Sequence, residues 1–298
     1  MKLACHWLAL FGVLLGCVAC AGDASRTIPS ADPDGDAAID ALVGRLEKLA
    51  LYHPRKYEPK LMADFTAHGG QRLDYTTAQG QQAAWLLPPA AGGAPQKLWI
   101  VCPGNGTVAL ELAPVCRGAP FAHDACLLID YPGYGACAGE PSPAGIRENL
   151  KAATLLAAKT LHLDPAELPA RACVFGHSLG AAAALLAVQE FHLRRAVLCA
   201  PFTSTLEMAQ RRLHTTRQLP LEHPFDNRVG LAALAHEHGH AWILHGSADM
   251  AIPATMGETL AREFPGCVTF KLLPGAGHND FFRDGAKDLL AAITAARE

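Results

Sequence analysis

A serine flanked by two glycines stands where the pattern of the chain changes. Residues 176–180 read GHSLG; the apolar run Ala172–Phe175 precedes them and an alanine-rich stretch follows. A serine on a sharp turn between a strand and a helix projects its hydroxyl above the sheet, and the glycines remove the steric clashes of that turn. A flexible surface turn would give the same five letters, but the strand–turn–helix context predicts that Ser178 is a nucleophile.

A nucleophilic serine needs a general base, and the pattern favours His278. This histidine lies in the segment PGAGHND, directly after the apolar run Cys267–Leu272, which has the composition of a strand. Ligands of parallel sheets bind beyond the carboxyl ends of the strands. The chain has 14 histidines, so an ordinary histidine of a surface loop is the competing interpretation. The position of His278 directly after the last expected strand favours it over the other histidines.

The imidazole in turn needs a carboxylate that fixes its tautomer. Asp249 follows the next-to-last expected strand and therefore belongs to the same edge of the sheet. The order along the chain is then Ser178, Asp249, His278, which is the order of enzymes with a nucleophile elbow. Asp226 and Asp280 are the rival acids, although Asp280 is so near His278 in sequence that its side chain should point elsewhere.

An acyl-transfer site also needs backbone donors for the negative charge that develops on the carbonyl oxygen. The N–H of Leu179, directly after the serine, is the first expected donor. The second should come from the segment CPGNGT after the run Lys97–Cys102, where Gly104 and Gly106 let the backbone approach a substrate closely. The N–H of Asn105 is the predicted donor, although CPGNG alone also fits a plain turn.

Short apolar runs alternate with helical patterns along most of the chain, which favours an α/β fold with a parallel sheet covered on both faces. The first two runs flank Gln79-Gly80 and should form an antiparallel pair. The expected strands are Arg72–Thr76, Ala83–Leu87, Lys97–Cys102, Ala125–Asp130, Ala172–Phe175, Arg195–Cys199, Ala241–His245 and Cys267–Leu272. The expected helices are Pro143–Leu161, Ser178–Leu193, Ala254–Phe264 and Asp280–Arg297.

Three further segments carry a family resemblance. They are DYPGYGACAGEPS at 130–142, APFTS at 200–204 and FDN at 225–227. Together with the serine, histidine and aspartate, they resemble the α/β-hydrolase domain proteins, and come closest to the membrane-associated, depalmitoylase-like branch of these serine hydrolases. The resemblance covers the chain from about Gln71 to the C-terminus.

The resemblance implies an α/β-hydrolase fold, with a mostly parallel central sheet, helices on both faces and a small lid or none. It implies Ser178 as nucleophile, Asp249 as acid and His278 as base, with Asn105 and Leu179 forming the oxyanion hole. One departure concerns the residues before Asn105, because the family commonly has His-Gly where this chain has Pro103-Gly104. Proline fixes the local backbone, so this departure bears on the shape of the hole and not on the triad.

The chain is long enough for a short lid over the site and not for a large cap domain. The stretch Thr205–Ala235 occupies the place of a lid in such folds and is too short for a large cap domain. Its apolar side chains could line a substrate site or simply pack as core. They are Leu206, Met208, Leu213, Leu219, Leu221 and Phe225.

The N-terminus has the plan of an export signal. A single Lys2 precedes an apolar stretch that ends in small residues, and residues 14–17 read LLGC, which resembles the bacterial lipobox. We therefore expect residues 1–20 to be a signal peptide with a lipobox whose lipidated residue is Cys17, residues 21–36 to be a flexible tether, and residues 37–298 to be a single α/β-hydrolase domain. This predicts an exported lipoprotein that is anchored to a membrane.

Three alternatives to lipidation at Cys17 stay open. Cys20 could carry the lipid, although the residues before it fit the lipobox less well. Ala19 and Ala21 could flank an ordinary cleavage site. The run Leu3–Gly22 could also remain as an uncleaved membrane anchor. All of these interpretations place the domain outside the cytoplasm.

The chain has ten cysteines, which is many for an exported protein. Five of them lie in or beside expected core strands and are expected to be small buried thiols. Cys116 and Cys137 fall in loops and could pair in an oxidising compartment, since sequence does not fix disulfide connectivity.

Composition and charge exclude other classes of function. The net charge is −3 and no basic cluster stands out, so nucleic acid is not an expected partner. Residues 236–240 read HEHGH and match the zinc signature H-E-x-x-H, but that signature needs a helix, and Gly239 and the strand that follows argue against one. We expect no metal and no cofactor.

These observations predict a serine hydrolase that cleaves a small carboxylic ester or thioester through an acyl-enzyme on Ser178. A serine peptidase of the same fold is one alternative, because a fold hosts many functions. A non-catalytic scaffold that binds a partner is the other, although such a scaffold usually lacks a triad member and this chain keeps all three.

Overall fold

The computed structural model describes residue 43 and residues 47–298. The segments predicted as a signal peptide (1–20) and as a tether (21–36), together with Cys17 and its alternative Cys20, lie outside these residues. At the start of the expected domain, residue 43 and residues 47–51 are described, and they are helical.

Eight strands form one sheet in the order β1-β2-β4-β3-β5-β6-β7-β8. The strands are β1 (Gln71–Thr77), β2 (Gly80–Leu87), β3 (Leu98–Cys102), β4 (Ala125–Ile129), β5 (Ala172–His177), β6 (Arg195–Cys199), β7 (His240–Gly246) and β8 (Val268–Leu273). The pair β1–β2 is an antiparallel hairpin, and β2 runs antiparallel to β4, whereas the pairs from β4 to β8 are parallel. Strands β3 and β4 are buried along their whole length, as expected for a sheet that is covered on both sides.

In the described part of the chain, seven helices longer than two turns cover the two faces. They are α1 (Pro59–Ala67), α2 (Pro143–Thr160), α3 (Leu179–Phe191), α4 (Thr205–Arg212), α5 (Asn227–His236), α6 (Ala254–Glu263) and α7 (Ala286–Arg297). Helices α2, α3, α5 and α6 contribute to one apolar cluster, and α1 and α7 to the cluster on the opposite face. This α/β-hydrolase architecture, with a mostly parallel sheet, confirms the predicted fold class.

Local sequence explains where several helices begin. Ser142 caps α2, because its hydroxyl accepts a hydrogen bond from the N–H of Gly145 and Pro143 occupies the first helical position. Helix α3 carries the alanines at 181–184, all of them buried. These short side chains let the helix lie close to β3 and β5.

Two predictions about helices need correction. The helix expected at Asp280–Arg297 begins at Ala286, because Asp280–Phe282 forms a separate 3₁₀ turn and the N–H of Gly285 donates back to the carbonyl of Asp280. The stretch expected as a lid contains both α4 and α5, and α5 packs against α3 as part of the core.

The possible disulfide between Cys116 and Cys137 is not formed. Both thiols are buried and free. Cys116 packs in the cluster on the side of α1 and α7, whereas the Cys137 thiol lies 3.4 Å from the carbonyl oxygen of Ala83 in β2. The expected buried thiols in the core strands are confirmed.

Within residues 47–298 and at residue 43, no helix has both the length and the apolar character needed to cross a membrane.

Candidate active site

Ser178 occupies a strained turn between β5 and α3. Its backbone has φ 58° and ψ −121°, a conformation that residues with a side chain rarely adopt. A Cβ on Gly176 would overlap with the carbonyl of Gly180, and a Cβ on Gly180 would overlap with the carbonyl of Cys102. The two glycines therefore permit a close contact between the turn, the helix and the end of β3.

The structure brings His278 to the serine. The loop after β8 places its Nε2 atom 3.0 Å from Oγ of Ser178, at the distance of a hydrogen bond that the hydroxyl donates. The other ring nitrogen, Nδ1, lies 2.7 Å from Oδ2 of Asp249. A proton on Nδ1 leaves Nε2 free to accept the serine proton, which is the tautomer that a general base needs.

Asp249 lies buried in the loop after β7, and backbone groups fix its orientation. Oδ1 accepts hydrogen bonds from the N–H groups of Ala251 and Ile252, at 2.8 and 2.9 Å. Burial alone would raise the pKa of this carboxyl, but hydrogen bonds from His245, His278 and Ile252 outweigh it and hold the pKa well below its usual value. The carboxylate therefore stays charged beside the imidazole.

The rival acids serve other parts of the fold. Oδ1 of Asp226 accepts the N–H of Arg228 and caps the start of α5. Oδ2 of Asp280 accepts the N–H of Gly277 at 2.8 Å, so this side chain shapes the loop that carries the histidine. Neither takes the position beside Nδ1 of His278 that Asp249 occupies.

Two buried histidines support the site, and the sequence interpretation missed both. His177 fills an unspecified position of the GHSLG motif, and its Nε2–H donates to the carbonyl of His278 at 2.8 Å. Burial and the neighbouring His278 lower the pKa of His177 to about 3, so its ring is neutral. The second, His245, is fully buried; its Nε2–H donates to the carbonyl of Ile252 and lies 3.5 Å from Oδ2 of Asp249. The available signal was their position, since His177 directly precedes Ser178 and His245 stands at the end of the strand before Asp249.

The predicted oxyanion loop lies against the nucleophile turn. A Cβ built on Gly104 would stand 3.2 Å from Nδ1 of His177 and 3.6 Å from Cβ of Ser178. Leu179 is the first residue of α3, so its N–H belongs to the helix terminus that carries a partial positive charge. Asn105 and Leu179 are thus brought to the same edge of the sheet as the triad.

The lid segment holds an open cavity of about 540 Å³. The start of α4 and the loop between α4 and α5 line it, with Leu206 from the helix and Leu219 and Phe225 from the loop. Leu219 and Phe225 are also buried in the fold, whereas Leu213 is exposed. The apolar side chains of this segment therefore divide between core, cavity and surface.

The HEHGH segment does not form a metal-binding helix. Helix α5 ends at His236 and β7 begins at His240, which confirms the predicted break in the motif. In the described part of the chain, no three histidine, cysteine, aspartate or glutamate residues are grouped so that they could hold a metal ion.

Comparison with known proteins agrees with this geometry. The model of the alpha/beta hydrolase family matches residues 99–237. An uncharacterized protein of Mycobacterium tuberculosis is 34% identical over 217 residues, which cover 71% of this chain and 73% of that protein. The chain belongs to the α/β hydrolase family.

More distant similarities are found in sequence and in structure. The uncharacterized Escherichia coli protein YfhR is 25% identical over 234 residues, 76% of each chain. The solved structure of a Pyrococcus furiosus esterase has a TM-score of 0.62 at 13% identity and covers 82% of this chain and 96% of its own. An alpha-beta serine hydrolase homologue from Coxiella burnetii has a TM-score of 0.56 at 16% identity and covers 76% of this chain and 96% of its own.

Proposed function

We propose that this protein is a serine hydrolase that cleaves a carboxylic ester or thioester through an acyl-enzyme on Ser178. The observation that carries the proposal is the continuous chain of hydrogen-bond distances from Oγ of Ser178 through His278 to Asp249. Family membership suggests hydrolase activity, and this arrangement supports the serine mechanism within it.

The proposed reaction has two halves. Oγ of Ser178 attacks the substrate carbonyl carbon while Nε2 of His278 takes the hydroxyl proton, and the carboxylate of Asp249 stabilises the imidazolium. The N–H groups of Asn105 and Leu179 receive the oxyanion. The intermediate expels an alcohol or thiol, which leaves with the proton from His278. Water then repeats the sequence on the acyl-enzyme and releases the acid.

The choice of ester or thioester over amide rests on the family resemblance of the sequence. The short lid segment favours small or extended acyl groups. A panel of acyl chain lengths on ester, thioester and amide leaving groups tests this choice. Faster turnover of the amides would favour the peptidase alternative.

The nucleophile is tested by Ser178→Ala with Ser204→Ala as the matched control. The two serines are equally buried, at 7% exposure, but Ser204 caps α4. We expect Ser178→Ala to remain folded, to lose ester hydrolysis and to lose labelling by a fluorophosphonate, while Ser204→Ala retains both. Turnover near the wild-type rate in a folded Ser178→Ala protein would contradict the proposal, and a wild type without labelling would favour the scaffold.

A second part of the proposal concerns location. We propose an exported lipoprotein whose anchor is attached to Cys17, which the LLGC segment supports. We also propose that the protein is most similar to the membrane-associated branch of the α/β-hydrolase domain proteins. The test is the intact mass of the mature protein, compared between the wild type, Cys17→Ser and Cys20→Ser. We expect only Cys17→Ser to lose the lipid; a mature N-terminus at Gly22 without lipid would overturn this part.

A further inference from the structure

The backbone carbonyls of the segment 103–106, here called the oxyanion loop, all accept hydrogen bonds. The carbonyl of Gly104 accepts the N–H of Thr107 at 3.2 Å. In a trans peptide the C=O and the following N–H point in opposite directions, so this bond orients the N–H of Asn105. The remaining carbonyls are held from outside the loop, which determines where that N–H lies relative to Ser178.

Two tyrosines of the DYPGYG segment hold carbonyls on either side of Gly104. The hydroxyl of Tyr131 donates to the carbonyl of Pro103 at 2.6 Å, and the hydroxyl of Tyr134 donates to the carbonyl of Asn105 at 2.8 Å. Both residues are fully buried, and their rings pack edge to face with centroids 5.5 Å apart. Burial raises the pKa of each phenol, so both hydroxyls remain protonated donors.

Residues 53 and 55 also bond to the oxyanion loop and to the segment that carries the two tyrosines. The N–H of His53 lies 2.8 Å from the hydroxyl of Tyr134 and 3.2 Å from the carbonyl of Asn105. The guanidinium of Arg55 donates to the carbonyl of Gly106 at 2.9 Å. The carbonyl of Arg55 accepts the N–H of Gly135, directly after the second tyrosine, at 2.7 Å.

We propose that Tyr131 and Tyr134 are positioning residues that set the oxyanion loop against the nucleophile turn. The inference rests on the proposed function, because it assigns these hydroxyls a part in stabilising the transition state through the N–H of Asn105. They touch neither substrate nor triad. They act by holding the carbonyls of this loop. The loop lies close to the nucleophile turn, since a Cβ placed on Gly104 would stand 3.2 Å from Nδ1 of His177 and 3.6 Å from Cβ of Ser178.

Removing the hydroxyls separately and together tests this assignment. Loss of an oxyanion donor costs about 10²–10³ in rate, and a displacement of about 1 Å costs up to about 10². We therefore expect kcat to fall roughly tenfold in Tyr134→Phe and in Tyr131→Phe, and roughly 10²-fold in the double variant. KM should change less than about twofold, because the contact matters most in the transition state.

Tyr75→Phe is the matched control. The hydroxyl of Tyr75 donates to Oδ1 of Asn149 at 2.8 Å, away from the oxyanion loop. Inhibition by a trifluoromethyl ketone, which mimics the tetrahedral intermediate, should weaken in parallel with kcat/KM for the loop variants and stay unchanged for Tyr75→Phe. The pH midpoint of kcat/KM should not move, since the histidine base is untouched.

Two results would overturn the assignment. One is a loss of kcat in Tyr131→Phe and Tyr134→Phe no greater than in Tyr75→Phe. The other is a loss that appears in KM or in the pH midpoint alone. If the tyrosine variants do not fold, Arg55→Ala removes a bond to the same loop from a partly exposed position and is expected to reduce kcat severalfold; an unchanged kcat there would also overturn the assignment.

A readout without activity separates this inference from the proposed function. Amide hydrogen exchange in a peptide that spans residues 103–107 should accelerate in Tyr134→Phe and not in Tyr75→Phe. If the wild type hydrolyses no ester or thioester, the proposed function fails, and faster exchange still supports the role of the tyrosines in holding the loop. Unchanged exchange contradicts that role whatever the substrate is.

Discussion

At the scale of single residues, the charge of Asp249 is the feature with the most direct kinetic consequence. We expect Asp249→Asn to lower kcat on the order of 10⁴-fold, because the amide favours the wrong tautomer of His278 and removes the charge that stabilises the imidazolium. Asp226→Asn and Asp280→Asn should cost far less, since these carboxylates accept the N–H groups of Arg228 and Gly277, which an amide oxygen can also accept. Steady-state kinetics on the three variants measures these losses of kcat. A crippled Asp226→Asn with a mild Asp249→Asn would mean that the acid is assigned to the wrong strand.

His177 gives a pH dependence of stability whose sign can be worked out. Its pKa is lowered from 6.5 to about 3 on folding, so between these pH values the unfolded chain binds one more proton than the folded protein. The free energy of unfolding therefore falls as the pH drops below 6.5. At pH 5 the loss from this residue is about 2 kcal/mol, from 1.5 units at 1.36 kcal/mol each.

The variant His177→Gln cannot take up this proton. Between pH 7 and pH 5 it should lose about 2 kcal/mol less stability than the wild type, as measured by urea unfolding at both pH values. The carboxyl of Asp130, whose pKa burial raises to about 6, has the opposite sign but is common to both proteins. His123→Gln, at an exposed position, is the control. Equal losses in wild type and His177→Gln would show that the buried ring is charged in the folded state.

The sequence predicted the triad residues better than the residues around them. Ser178, Asp249 and His278 each follow an apolar strand, and that pattern is visible without a structure. The role of His177 depends on burial and on the carbonyl of His278, which is distant in sequence. That of His245 depends on burial and on the way the loop after β7 turns back to it. Neither is visible in the sequence pattern. The tyrosine contacts of the oxyanion loop were equally hidden, because they join loops about 30 residues apart.

At the scale of elements, strands were predicted more accurately than helices. Strand β6 has the predicted bounds and the others differ by one to three residues at an end, since buried runs are short and bounded by turn residues. Helices α1, α4 and α5 were not expected. Helix α5 is short and its apolar residues, Leu231 and Leu234, face α3 only because the chain folds back there.

An ion-pair network joins three helices in the lid region. Arg228 of α5 lies 2.8 Å from Glu207 of α4 and 2.6 Å from Glu263 of α6. The carboxylates are 41% and 36% exposed, so screening by solvent keeps the contribution at about 1 kcal/mol. We expect Arg228→Gln to lower Tm by about 2–4 °C and to reduce the dependence of Tm on salt.

The control for this network is Arg283→Gln. Arg283 also contacts two carboxylates, but its side chain is 76% exposed and its partners lie within three residues of it. Its removal should leave Tm nearly unchanged. Differential scanning calorimetry at low and high salt makes the comparison, and equal shifts for the two variants would contradict a specific role of the network.

At the scale of the whole molecule, the buried thiols predict a simple chemical behaviour. The described cysteines are Cys102, Cys116, Cys126, Cys137, Cys173, Cys199 and Cys267, and all are buried and free. Burial raises the pKa of Cys137 and of Cys173 to about 12, so neither forms the reactive thiolate near neutral pH. Iodoacetamide should leave these seven unlabelled in the native protein and label all of them in guanidinium. Peptide mapping measures this, and a disulfide between any two would contradict it.

The contact between the nucleophile turn and the end of β3 also determines how this protein can evolve. Any side chain at Gly180 would collide with the carbonyl of Cys102, and relief of the collision would separate Leu179 from Asn105. Selection for a new substrate therefore has little access to the turn itself. Residues 213–218 lie mostly exposed in the lid segment, where substitutions cost little stability. Substitutions among descendants of this chain should therefore accumulate in this segment and not in the turn, and a mutant library that must stay folded is best confined to residues 213–218.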